Sequence, residues 1–454
     1  MVIVENVAVD PASARPGEAP YPPAWQGWWV VTIFALAAVL QYTDRQILSL
    51  LVDPIRADLA ISDTQISVLQ GAAFAVLYSF IGLPLGRAAD MLPRRSIIIA
   101  GIVLWSLATA ACGLATAYGQ LLLARICVGI GEAALAPAAV SMIADYFPPA
   151  RRGTAIGAFL MGQVIGGGAA IAIGGYLLDL AQQGAFAWLP GIGTAAPWRI
   201  VLILVGIPGV PVAALLLSVP EPARRRAGVD GRPGRALPLR AVAAGFRMRT
   251  ASLVPLYIAT ALFSVGDYAL LAWSPAHLAR NYAFAPGEIG AVLGGLAIAT
   301  GILGTIGGGY AADRLAIRGG ARARLQIVLG SALFGALGAC VGFAPSAPVF
   351  LAILTVWMLA SAVSGTVAIT AVLELLPNEM RGIGTSLIAF CNTILGLGTG
   401  PTLVALATDD IFGSENSVGL AMTLVVLPAT LVAIFLYYRA LRVVSTGSPV
   451  PEAA

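Results

Sequence analysis

The stretch Gly86-Arg87-Ala88-Ala89-Asp90-Met91-Leu92-Pro93-Arg94-Arg95 decides how this chain is read. It sets four charges between two long apolar runs, and its skeleton returns in the second half of the sequence. Gly86-x-x-x-Asp90 recurs as Gly309-x-x-x-Asp313, 223 residues on. Asp145, followed by Arg152-Gly153, recurs as Glu374, followed by Arg381-Gly382, 229 residues on. The two copies keep the same order and nearly the same separation, so the chain reads as a duplicated unit.

The material between these signatures belongs in lipid. Of 454 residues, 59% are hydrophobic and 11% are charged, with a mean hydropathy of +0.89. A soluble chain carries about 25% charged residues. Each crossing of the hydrocarbon needs ~20 apolar residues as a helix. Lipid leaves no partner for a bare backbone, so the spans are helices or a closed barrel. The apolar runs are continuous, without the alternation a barrel needs. Twelve spans follow: 28–52, 65–88, 96–117, 119–146, 153–180, 198–219, 252–276, 286–312, 325–344, 347–376, 382–408 and 417–440. The expected fold is all-α integral membrane, with twelve transmembrane helices in two pseudo-symmetric six-helix bundles. The bundles cover 28–219 and 252–442, joined by a linker at 220–251 and flanked by tails at 1–27 and 443–454. Duplicated halves around a central site are the architecture of a transporter.

All 26 basic residues are arginine. They gather in every second loop: Arg87, Arg94 and Arg95, then Arg151 and Arg152, eight more between Arg224 and Arg249, then Arg314, Arg318, Arg322 and Arg324, then Arg381, and last Arg439 and Arg442. The alternate loops read as nearly arginine-free and hold Asp58, Asp63, Asp409, Asp410 and Glu415. The positive-inside rule then places both termini in the cytoplasm. No cleaved leader is apparent in 1–24. Trp25, Trp28 and Trp29 mark entry into the membrane interface. Within 236–249, Leu239, Val242, Ala243 and Phe246 share a helical face, a pattern for a short helix on the inner leaflet. Clustered in loops, these charges do not argue for nucleic acid. Cys112, Cys127, Cys340 and Cys391 lie in apolar runs without ligand spacing and read as buried hydrophobes. The spacings Gly82-x-x-x-Gly86, Gly162-x-x-x-Gly166 and Gly304-x-x-x-Gly308 suit close helix packing. Gly166-Gly167-Gly168 and the run Gly396, Gly398, Gly400-Pro401 are dense enough to bend.

Five charges fall well inside spans, away from their ends: Asp44 and Arg45 in the first, Arg125 and Glu132 in the fourth, and Asp267 in the seventh. Each costs roughly 2.5–3.5 kcal/mol at a helix centre if unpaired. They must pair, meet water or take up protons. Arg125 and Glu132 stand two turns apart on one face, so Asp44–Arg125 and Arg45–Glu132 pairs are within reach. Two readings stay open: a static lock, or a hydrated site whose carboxylates carry protons and exchange arginine partners. Arginine stays charged, and the sole histidine, His277, reads as interfacial, so the carboxylates are the titrating groups. Tyr42, Phe263, Asp267, Tyr268 and Trp357 are the expected wall of a path between the halves.

These residues resemble the major facilitator superfamily over about 28–442. Gly86 to Arg95 looks like its loop signature after span two, with Pro93 where a glycine is usual. The resemblance implies a gate on the cytoplasmic side built from Gly86, Asp90, Arg94, Arg95, Asp145 and Arg152, with Asp313, Glu374 and Arg381 as its repeat. Tyr42-Thr43-Asp44-Arg45, Ile61-Ser62-Asp63 and Gly129-Ile130-Gly131-Glu132-Ala133 are similar to the spinster-like branch. That branch implies a proton-linked role for Asp44, Arg45 and Glu132, and its eukaryotic members export lysolipids and sphingolipid phosphates. Ala134-Leu135 departs from its usual Ser-Tyr.

The function expected is proton-coupled secondary transport of an amphipathic or lipid-like solute by alternating access, in a bacterial inner membrane. Its partners would be membrane lipids, protons and the solute, with the monomer as the working unit. Transport of an unrelated small organic solute or drug, or a sensor on a transporter fold, is the alternative. No Gly-x-Ser-x-Gly, His-Glu-x-x-His or nucleotide-binding loop occurs, which speaks against an intramembrane enzyme and against ATP drive. No cofactor and no metal site is expected.

Overall fold

A computed structural model describes residues 21–224, 245–377 and 380–445. Among them are twelve helices long and apolar enough to cross a membrane. They are α1 (Ala24–Ser49), α2 (Asp63–Ala89), α3 (Arg94–Leu114), α4 (Tyr118–Tyr146), α5 (Pro149–Gln182), α6 (Pro197–Ser218), α7 (Thr250–Tyr282), α8 (Pro286–Ile317), α9 (Gly319–Phe343), α10 (Ala347–Leu375), α11 (Arg381–Phe412) and α12 (Glu415–Ser445). The described residues contain no strand.

Local chemistry fixes where these helices begin. Ser62 caps α2 in a reciprocal box: its Oγ accepts from Gln65 N at 3.2 Å, and Gln65 Oε1 accepts from Ser62 N at 3.0 Å. Pro149, Pro197 and Pro286 open α5, α6 and α8, where a missing N–H costs nothing. Leu92 is extended before Pro93, which separates α2 from α3. α8 and α9 run together except at Gly320, whose φ of 51° breaks the helix.

Glycine lets the helices of each half approach closely. A Cβ on Gly166 would meet Val39 of α1, and one on Gly131 of α4 would meet Gly101 of α3. In the second half Gly400 of α11 lies on Val265 of α7, and Gly338 of α9 lies on Trp357 of α10. Gly304 and Gly308 seat α8 on Ala362 and Val363 of α10. Gly82 and Gly86 have nothing within 4 Å, so their stripe is not a packing face here. The helical pattern expected across 236–249 falls mostly outside the described residues. Its end returns at Phe246, which packs beside Tyr257.

The halves meet on one side and part on the other. The antiparallel pair α5 and α8 joins Gly175 to Gly290, then Gly168 to Gly294 and Ile298, then Val164 to Gly301. One step further along, Gly157 and Gly307 each face open space. The contact therefore holds at the side bearing Asp58, Asp63 and Asp409 (the acidic side) and is lost toward the side bearing Arg94, Arg152 and Arg324 (the basic side). The apolar core follows the same division. One cluster runs from the second half into Leu51, Ile55, Leu121 and Trp198 at the acidic ends of the first half. The basic ends of the first half hold a separate cluster around Phe34, Ile98, Met142 and Phe159.

Candidate functional site

Four of the five intramembrane charges gather where α1 meets α4. Pro137 removes an N–H from α4, and the helix is interrupted at Ala133–Ala134, directly after Glu132. Gln41 Nε2 donates to the Glu132 carbonyl there at 3.0 Å. The Glu132 side chain is fully buried and accepts from Arg45 Nη2 at 2.7 Å and from Nε at 3.2 Å. The rings of Tyr42, Phe74 and Tyr78 surround the Arg45 guanidinium, with centroids at 4.9, 4.5 and 5.1 Å. Cation–π contact of this kind is strongest where water is excluded.

The second pairing takes another form. Arg125 does not clasp the Asp44 carboxylate. Its Nη1 donates to the Asp44 backbone carbonyl at 3.3 Å, and its Nε donates to the Leu69 carbonyl at 3.4 Å. Asp44 Oδ1, Arg125 Nη2 and Glu132 Oε1 are buried without hydrogen-bond partners. So many unsatisfied polar atoms in one place make a site for water or protons.

Beside this cluster lies a cavity of about 380 Å³ between the halves. All five expected wall residues, Tyr42, Phe263, Asp267, Tyr268 and Trp357, line it. Phe263 and Trp357 stack at 4.7 Å, and Trp357 Nε1 donates to Asp267 Oδ1 at 2.9 Å. A smaller void, bounded by Arg45, Gln46 and Tyr268, adjoins it. Gln163, Thr300, Ser361 and Asn392 also line the main cavity; none of these had been expected. Their short polar side chains look the same in sequence whether they face a cavity or a neighbouring helix.

On the basic side the ion pairs described stay within one half. Arg94 pairs with Asp145 and with Glu221, the latter at 2.9 Å. Arg95 Nη1 donates to the Val219 carbonyl at 2.9 Å. Arg152 Nε donates to the Phe147 carbonyl at 2.9 Å, and Arg381 Nε to the Leu373 carbonyl at 2.9 Å. The side chain of Asp90 lies outside the described residues. In the second half Arg324 pairs with Asp313 at 3.2 Å and with Glu374 at 2.7 Å. Arg324 is therefore the counterpart of Arg94. The sequence carried a signal for it, since 230 residues separate the two, one more than the 229 between Asp145 and Glu374.

The acidic side holds the polar bonds between the halves, and sequence reasoning missed them. Arg280 of α7 binds Asp63 through Nη1 and Nη2 at 2.8 and 2.9 Å and reaches Asp53 at 2.7 Å. Arg56 bridges Asp63 at 3.0 Å and Glu415 at 2.6 Å. Its hydrogen bond to Glu415 holds the Arg56 pKa above its usual range. Thr64 donates through N and Oγ1 to Asp409, and Gly287 N donates to Asp179 at 2.9 Å. Arg56, Arg199 and Arg280 correct the expectation of a nearly arginine-free side. Each is neutralised in place, Arg199 by Asp58 at 2.7 Å. His277 is a second correction. It is 6% exposed and packs on Phe350 and Tyr282 rather than lying at an interface. The described residues contain no cluster able to hold a metal ion.

Two repeats of six spans, closed at one end around a buried cavity, define a membrane transporter. The Major Facilitator Superfamily model matches residues 34–401, and the chain belongs to that family. An MFS-type efflux pump of Mycolicibacterium smegmatis is 29% identical over 91% of this chain and 92% of its own length. A hexuronate transporter of Bacillus subtilis is 27% identical over 69% of this chain and 72% of its own. The fold is similar to that of a bacterial homologue of the human lysosomal transporter Spinster, solved inward-facing and unoccupied. That likeness has a TM-score of 0.81 at 24% identity and covers 95% of this chain and all of the other.

Proposed function

We propose that this chain is a proton-coupled secondary transporter that exports an amphipathic, lipid-like solute across a bacterial inner membrane. The basic side is cytoplasmic by the arginine distribution, which puts both termini inside and makes the present state inward-facing. The monomer is the working unit, because the cavity is built from a single chain. The relative named as an efflux pump supports the outward direction.

One observation carries the coupling: the Arg45–Glu132 pair and the unsatisfied Asp44 and Arg125 atoms adjoin the cavity through Tyr42 and Gln46. When the halves rock, α1 moves against α4 and the arginines change partners. A carboxylate loses its proton beside an arginine and regains it when left alone in a dry place. Each swing can thus exchange a proton for a solute. Asp90, Arg94, Asp145 and Arg152, with Asp313, Glu374 and Arg381, form the inner gate that closes when the cavity turns outward.

The test is uptake of candidate lysolipids into proteoliposomes with and without a pH gradient. Asp44→Asn and Glu132→Gln should express and fold but lose the response to the gradient. Normal pH-driven transport by both variants would reduce these charges to a lock.

A further inference from the structure

The charges around the cavity are unevenly compensated. Behind the wall of the first half they sum to zero. Arg45 is ion-paired with Glu132, and Arg125 lies against Asp44, donating to its backbone carbonyl. On the wall of the second half one charge stands by itself. Asp267 is the only carboxylate among the residues lining the cavity, and none of those residues is arginine, lysine or histidine. Its Oδ1 accepts from the neutral indole of Trp357 at 2.9 Å. The polar groups around it, including Gln163, Ser361 and Asn392, are amides and hydroxyls.

A carboxylate that faces a confined cavity without a counter-charge pays for lost hydration and is relieved either by a proton or by a cation. A cation entering the cavity removes that cost. An anion adds like-charge repulsion at short range, where little water screens it. The ring of Tyr268 on the same wall suits a cation as well. Rejection through an uncompensated charge is as effective a route to selectivity as attraction.

We propose that Asp267 sets the charge of the solute. The cavity takes an amphipathic cation, with an apolar or aromatic body and an amine or quaternary onium head, and it excludes amphiphiles of net negative charge. This rests on the reading of the cavity as the solute path and narrows the class of solute proposed above.

Tetraphenylphosphonium and tetraphenylborate make the test, because they share size and shape and differ in sign. Binding of each to the full chain in nanodiscs of neutral lipid is measured by equilibrium dialysis, with empty nanodiscs subtracted. The wild type should bind the phosphonium at least tenfold more tightly than the borate. Asp267→Asn keeps an acceptor for Trp357 and should lose at least tenfold in phosphonium affinity. Asp267→Glu keeps the charge and should retain the preference. Equal or tighter binding of the borate, protein-dependent binding of neither ion, or a preference that survives Asp267→Asn would each overturn the proposal. No pH gradient enters this measurement. Failure of the Asp44 and Glu132 experiment would therefore strike the proton coupling and leave the charge selection standing.

Discussion

Arg280 of the second half grips Asp63 of the first through two parallel hydrogen bonds of 2.8 and 2.9 Å, with Asp63 fully buried. Fork-to-fork geometry of this kind is among the strongest a carboxylate can make. Arg56 shares the same carboxylate at 3.0 Å, so one buried anion is held from both halves of the molecule. This contact latches the acidic side shut.

Removing the grip should open that side. In Arg280→Gln, Asp63 keeps Arg56 but loses its partner across the halves. The loss is on the order of 3 kcal/mol, which shifts a two-state population by roughly a hundredfold. Spin labels at Ala57 and Ser414, in a background without native cysteines, should show a longer and broader distance. An unchanged distribution would mean that the latch does not set the equilibrium.

The α5–α8 seam should respond with opposite sign at its two ends. A Cβ on Gly294 would lie 2.6 Å from the Gly168 carbonyl oxygen, whereas Gly157 and Gly307 have free space around them. Gly294→Leu should wedge the acidic side apart. Gly307→Leu fits the present state but blocks closure of the basic side. A cysteine at Ser361 should stay reactive from the basic side in Gly307→Leu and become reactive from the acidic side in Gly294→Leu. Identical labelling in the two variants would refute the seam as the moving contact.

Glu132→Ala should cost about 3–5 kcal/mol, because it leaves Arg45 buried without its counter-charge. The double variant Arg45→Met, Glu132→Leu should recover most of that loss, as apolar replacements of buried pairs commonly do. Thermal unfolding of the purified protein measures both. The double variant should remain unresponsive to a pH gradient. Recovery of the gradient response together with stability would show that the pair is structural alone.

The two basic-side arginines should differ in weight. The Arg94 side chain is 2% exposed and is held by Asp145, Glu221, Ser141 and Pro222. Arg324 shares Asp313, which is 75% exposed, and the partly exposed Glu374. Arg94→Gln should cost roughly 3 kcal/mol, and Arg324→Gln about 1 kcal/mol or less. Equal shifts in unfolding temperature would contradict the burial argument.

Much of this molecule could be read from its residues, and the rest had identifiable reasons for staying hidden. The spans were legible because lipid imposes length and composition, and the repeat was legible because its charges recur at fixed spacing. Arg45–Glu132 was legible because a charge so costly in lipid needs a partner, and few were on offer. The course of Arg125 was not. Its guanidinium turns to the carbonyls of Leu69 and Asp44, and backbone acceptors carry no signature in residue type. Arg280 and Asp63 are 217 residues apart. They meet only because of how the halves sit in this state, which no local pattern encodes.

In its first third, over Val68–Ala72, the backbone of α2 winds as a π-helix, and α11 does the same over Asn392–Leu397. The two segments touch where Gly71 lies against the Leu397 carbonyl. Such a turn carries one residue more than an α-turn. Handing that surplus residue along the helix rotates the stretch it passes through by about 100° and displaces that stretch by about 1.5 Å. No hydrogen-bond ladder needs to be broken outright. Each half thus carries a spare link at the point where it leans on the other, so a stretch of a long stiff rod can be turned there without the rod being bent.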